Sequence, residues 1–225
     1  RMATAGLIAC GALVASMLNP GMATAKPTAP RPLGGAQGDH AQVGSDYNNG
    51  KKLRLKKSNL PAIKRQLQAA NNARTAAGDF EVGDVMPWLA LDDYTGDLYL
   101  KNYTLRGVGD KIQVWVANNT AFPAGDCRTS LGLTDVTDDQ VNAFISEFDG
   151  NIYPKESKAF SVPPALDGAD SVLGDMLGDP QLYKVTAAQA DDTVVLVDNV
   201  RDANYYDPTS PDGQTFIAGF FYSTF

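Results

Sequence analysis

The chain has 225 residues, 44% hydrophobic and 20% charged, with net charge −7, a composition that excludes a fibrous or wholly disordered protein and provides for one domain with a real core plus a leader. Its single histidine, His40, falls in a stretch poor in large apolar residues, which removes every Ser-His-Asp or Cys-His centre and every imidazole zinc site from the part expected to fold. The charge is unevenly spread: 51–74 carry eight Lys and Arg and no acid, whereas 79–225 carry eight basic and 24 acidic residues, so the two parts attract each other and nucleic acid is not an expected partner.

Residues 1–25 read as a cleavable secretory signal peptide. The uncharged run from Ala5 to Leu18 has the length of a signal core and is too short for a bilayer span. Asn19-Pro20-Gly21 breaks it, and Ala23-Thr24-Ala25 supplies the small-x-small pattern of signal peptidase, placing cleavage between Ala25 and Lys26. The lipobox-like Leu7-Ile8-Ala9-Cys10 competes, but the apolar run continues past the cysteine. The positive n-region is reduced to Arg1 and the chain does not start with Met, so further N-terminal sequence is expected. The expected location is extracellular, with no membrane attachment after cleavage.

Residues 26–50, rich in Pro, Gly, Ala and Gln, bury too little surface to offset their ordering entropy and read as a linker. In the basic leader, 51–78, good helix formers follow Pro61, which suits a first helical turn, and Gly78 is the expected stop. A solvated helix, a nucleic-acid or membrane patch, and a propeptide resting on an acidic domain compete for it. No aromatic residue is interleaved for base stacking, which counts against nucleic acid.

From residue 79 the texture is that of a folded domain. Met86–Leu91 is an apolar run closed by Asp92-Asp93-Tyr94-Thr95-Gly96; Leu98–Val108 and Lys111–Ala117 alternate on either side of Gly109-Asp110 and predict a β-hairpin. A helix is expected between Thr134 and Gly150, with Thr137 and Gln140 as a capping box and Val141, Phe144, Ile145 and Phe148 on one apolar face. A second short helix is expected near Ser171–Leu177. Thr193–Asp198 and Thr215–Tyr222 read as strands buried on both faces. The predicted class is α+β, a mixed sheet with flanking helices. Because the chain stops three residues after an apolar strand, the 79–225 domain is expected to be incomplete.

Once Cys10 leaves with the signal, only Cys127 remains; it either pairs with a residue beyond these 225 or sits buried and inert. Asp198, Asn199, Asp202 and Asn204 bring four oxygen-bearing ligand candidates to the end of a strand, which makes them candidates for a calcium site. The spacing matches no EF-hand loop, and turn formation, with Asp198 or Asp202 pairing with Arg201 or capping a helix, accounts for them as well. Asp191-Asp192 and Asp138-Asp139 read as surface or helix-start charges rather than an acid and base pair. No catalytic, cofactor or metal residue is assigned.

The stretch from Lys111–Val116 through Phe148-Asp-Gly-Asn-Ile-Tyr-Pro-Lys-Glu156, and then Val194–Asp207 with Phe216–Phe221, resembles the N-terminal part of secreted bacterial zinc metallopeptidases similar to immune inhibitor A, over roughly residues 82–225. The resemblance implies the N-terminal lobe of a zincin-like endopeptidase that hydrolyses peptide bonds with a metal-activated water, its His-Glu-x-x-His helix lying past the segment matching Phe216–Phe221. It implies zinc as the cofactor, held by ligands outside this chain; protein or peptide as substrate; the leader as a propeptide; and a partner for Cys127 further along. The alternative is a self-contained secreted binding or inhibitor module without catalytic activity, making contacts through Tyr-rich loops such as Tyr205-Tyr206.

Overall fold

The computed structural model describes residues 78–219, preceded by 54–55, 61 and 65. The signal peptide, the linker and most of the basic leader lie outside the described residues. Pro61 and Arg65 are helical, in keeping with a helix starting at the proline.

Five strands make one mixed sheet: β1 (Arg54–Leu55), β2 (Val85–Asp92), β3 (Asp97–Val108), β4 (Ile112–Ala117) and β5 (Thr193–Val197). β2 and β3 form a hairpin, Val85 opposite Thr104 and Asp92 opposite Asp97. In its turn the Asp92 carboxylate accepts from the Thr95 N–H at 3.1 Å, and Gly96 takes φ 71°, a left-handed conformation that costs glycine little. Pro87 is tolerated in β2 because that strand is paired with a neighbour on one side over most of its length. The hairpin expected around Gly109-Asp110 is β3–β4, antiparallel, with a bulge between Leu105 and Gly107. β5 lies parallel to β4, Ile112 opposite Thr193 and Val116 opposite Val197. The class is therefore α+β with a mixed sheet, as expected. Within the basic leader, Arg54 and Leu55 run parallel to Asp97 and Leu98 of β3, a rung that the helical reading of the leader did not include.

The sheet has a core on each face. On one, Phe80, Trp88, Leu105, Trp115 and Tyr183 pack with Leu173 and Leu177; Trp115 is fully buried and meets Phe80 edge-on at 5.1 Å. On the other, Ile112, Val114 and Val116 meet Val141, with Ile145 and Val197 beside them. β4 is thus buried on both faces along its whole length. β5, expected to be buried on both faces, is instead a half-exposed strand, with Val194 42% exposed. The reason is position: β4 flanks it on one side, and among the described residues no strand flanks it on the other.

Helix α1 (Cys127–Ser130) is short. Helix α2 (Asp138–Glu147) has the expected capping box, with Thr137 and Gln140 bonding reciprocally. The helical path does not stop at Gly150. It continues as a π turn over Phe148–Ile152 into α3 (Tyr153–Ala159). Pro154 explains the π turn, because a proline has no N–H for the regular bond one turn back. Asp149 in that turn accepts from the N–H groups of Asp110 at 2.7 Å and Lys111 at 3.0 Å, tying it to the β3–β4 turn. Gly107 lets α2 approach: a Cβ there would stand 2.5 Å from Ile145 Cδ1 and 2.9 Å from Val141 Cγ1. Helix α4 (Val172–Leu177), capped by Ser171, is the second expected short helix. Helix α5 (Ala203–Tyr206) follows β5.

One further expectation is corrected. In Thr215–Tyr222 the described part, 215–219, is not a strand, and Phe216 is 67% exposed; the Ile217 N–H is taken by the Asp202 carboxylate at 2.7 Å and not by a sheet ladder. Residues 220–222 lie outside the described residues. Cys127 is disulfide-bonded, to a residue outside the described ones. Among the described residues no helix is long and apolar enough to cross a membrane.

Candidate functional site

The chain leaves β5 at Val197, and the next ten residues carry most of the side chains with chemistry to offer. The four oxygen-bearing residues there do not converge. Asp198 accepts from Lys101 Nζ at 2.5 Å and from the Tyr103 hydroxyl at 2.7 Å. Asn199 donates to the Thr120 carbonyl at 3.0 Å. Asp202 caps α5 through the Tyr205 N–H at 2.8 Å and accepts from Ile217 with its other oxygen. Asn204 donates to the Gly213 carbonyl and accepts from Arg128 Nη1, both at 2.6 Å. Of the local pairings expected, Asp202 does cap a helix, whereas Asp198 pairs with Lys101 and not with Arg201.

Asp138 lies on Arg106 at the start of α2, Asp191 lies on Lys111, and Asp192 accepts from Gln113 Nε2 at 3.0 Å. Gln113 is 2% exposed and in turn accepts from the indole N–H of Trp115, so Asp192 terminates a polar relay that enters the core. Burial pushes the Asp192 carboxyl above the usual range, while the bond from Lys111 holds Asp191 below it.

Around these residues lies an aromatic and cationic cluster that sequence reasoning missed. The Arg128 guanidinium grips both Asp126 oxygens, at 3.0 and 2.6 Å through Nε and Nη2, and lies 3.5 Å from the centre of the Phe122 ring. This bond holds the Asp126 carboxyl below its ordinary range. Arg128 Nη2 also reaches the Asn204 carbonyl at 2.9 Å, so α1 and α5 share one clamp. The adjacency of Asp126 and Arg128 was visible in sequence, but their joint partner 76 residues away was not.

Beyond it, Tyr205 and Tyr206 meet edge-on at 5.0 Å, and Tyr94 stacks obliquely on Tyr206 at 5.1 Å. Arg201 lies over the Tyr99 ring at 4.3 Å and near Tyr205 at 5.8 Å. Its backbone is fastened to the free edge of β2, Arg201 N to Leu91 O and Tyr94 N to Arg201 O. Burial and the bond to Asp92 push the Tyr206 phenol up to about 12, and burial followed by the Asp198 charge raises Tyr99 and Tyr103 further. These phenols therefore act at neutral pH as hydrogen-bond donors and not as bases.

Beside the cluster, a cleft of about 460 Å³ opens between the α2 face and the ends of β4 and β5. Val136, Val141 and Phe144 form one wall, Val114 and Val197 the floor, and Phe122, Asp198 and Asn199 the rim shared with the cluster. Such an apolar cleft with a few polar groups is suited to holding a side chain or a short peptide. Its donors do not fit zinc: among the described residues no three His, Cys, Asp or Glu side chains converge as metal ligands, the nearby carboxylates bond to other donors, and His40 lies outside the described residues. No step through a metal follows from them. No protein-family model matches the chain, and no curated protein matches it either.

Proposed function

We propose that the chain is the N-terminal part of a secreted zinc-dependent endopeptidase of the immune inhibitor A kind, and that 79–225 form a non-catalytic lobe of its zincin-like domain. The observation that supports this reading is spatial. The two stretches that carry most of the resemblance, 111–156 and 194–207, are far apart in sequence yet neighbours in the fold: β4 of the first pairs with β5 at the start of the second. Likeness in segments that must pack together is what a common lobe requires, since scattered surface matches have no reason to coincide in space. The zinc ligands and the general base belong, on this reading, to sequence outside these residues, and the 460 Å³ cleft is available to a substrate side chain.

The test is made on the complete secreted gene product. About one zinc per chain and chelator-sensitive hydrolysis of a denatured protein substrate are expected; a metal-free product without hydrolysis contradicts the proposal. The cleft and the tyrosine cluster beside it favour a second reading, a secreted binding module. Stable binding of a folded protein by that same metal-free product would favour it over the first.

A further inference from the structure

Two hydrogen-bond donors in the tyrosine cluster have no acceptor among the described residues. Of the arginines in the domain, Arg106 lies on Asp138 and Arg128 on Asp126. The half-buried Arg201 guanidinium, by contrast, contacts the rings of Tyr99 and Tyr205 and has no carboxylate or carbonyl acceptor among the described residues. On the rim of the ring that carries it, the Tyr99 hydroxyl is buried, with the residue 7% exposed, and has no hydrogen-bond partner among the described residues. A buried donor left without an acceptor costs free energy that a native fold normally avoids.

The acids nearby do not fill the gap, because each is turned to other donors. Asp92 accepts from Thr95 N and the Tyr206 hydroxyl, Asp198 from Lys101 and Tyr103, and Asp202 from Tyr205 N and Ile217 N. An anionic oxygen reaching both groups would supply the acceptor that neither finds among the described residues. A guanidinium presents a planar fork that matches a carboxylate with two parallel bonds. Three carboxylates close by make a doubly charged phosphate a poorer guest than a monoanion. Tyr94, 61% exposed, and Tyr206, 41% exposed, extend the site with aromatic surface for an apolar body.

We infer that Arg201 and Tyr99, walled by Tyr205, Tyr206 and Tyr94, form a carboxylate-binding subsite for a peptide. The carboxylate is either a chain terminus or an acidic side chain. The site draws nothing from the zinc-peptidase reading and stands apart from any metal.

The test is a titration of the isotope-labelled full chain, followed through the Arg201 Nε–H resonance and, in every variant, through the backbone amides of Tyr94 and Tyr205. The probes are N-acetyl-phenylalanine, its amide, N-acetyl-glutamate α-amide and inorganic phosphate. Saturable movement by a carboxylate and none by the phenylalanine amide is expected. Stronger binding of acetyl-phenylalanine assigns the site to a chain terminus, and stronger binding of the glutamate amide assigns it to an acidic side chain. Tyr99→Phe, which keeps the ring, is expected to weaken binding about tenfold, as loss of one hydrogen bond to a charged group does. Arg201→Gln is expected to abolish it. Equal binding of acid and amide, preference for phosphate, an unmoved Arg201 resonance, or unchanged affinity in a natively folded Arg201→Gln variant each overturns the assignment.

Discussion

Arg128 joins two loops that the sequence sets far apart, and it does so from a position where its charge is hard to replace. Its side chain and that of Asp126 are 14% and 12% exposed, so deleting one partner leaves the other partly buried and uncompensated. Arg128→Ala is expected to destabilise the domain by about 2–4 kcal/mol, with Arg128→Ala/Asp126→Ala together costing less than the sum of the singles; urea midpoints of the three variants check this. Asp192 works in the opposite sense. Its folded-state carboxyl titrates above the usual range because burial penalises the charged form, so the stability linked to it is full below the ordinary aspartate pKa and is lost as pH rises through the raised one. Asp192→Asn keeps an acceptor for Gln113 and removes the charge. It is expected to raise the urea midpoint at pH 7, the gain vanishing at pH values below the ordinary aspartate range. A constant gain at all pH values would refute this linkage. Neither residue could be ranked from sequence. Asp192 looked like one of two surface acids, and only the relay through buried Gln113 to Trp115 separates it from Asp191.

Among the elements, those written in local code were legible. The capping box of α2 and the hairpin turn around Gly109-Asp110 involve residues within a few positions of one another, so their chemistry is complete in a short window. Thr137→Ala is expected to cost about 1 kcal/mol and to lower the melting temperature by about 2–4 °C. Elements defined by what lies beside them were not legible. β5 and β4 are both apolar runs, and nothing in either says that β4 takes the centre and β5 is flanked on one side. The continuation of α2 past Gly150 was not legible, because it depends on Pro154 and on the bonds from Asp110 and Lys111 to Asp149, which accompany a π turn. Gly107 shows how closely α2 sits on the sheet. Gly107→Ala places a methyl against Ile145 Cδ1 and Val141 Cγ1 and is expected to cost about 1–3 kcal/mol. Ile145→Val removes the nearer methyl, so the double variant is expected to recover part of that loss; a double variant less stable than either single one would show that the approach is not the cause.

Over the whole molecule, the class could be read because alternation, helical periodicity and turn residues each pointed to strands mixed with helices. The sites could not, since the cluster around Arg201 draws Tyr99 from β3, Tyr94 from the β2–β3 turn and Tyr205 from α5, and no sequence window holds all three. The acidic run after β5 attracted notice as a metal loop, yet the fold sends each of its members to a different partner. The proposal of a secreted enzyme whose metal chemistry lies outside these residues joins three expectations read from sequence: export, a basic leader, and a resemblance to the N-terminal part of zinc metallopeptidases. That central claim is tested most directly by reading the encoding gene onward from the Phe225 codon. A His-Glu-x-x-His motif, the helical zinc signature, is predicted within about 100 codons, roughly the reach of one further lobe; an open reading frame running through that window without it would contradict the account.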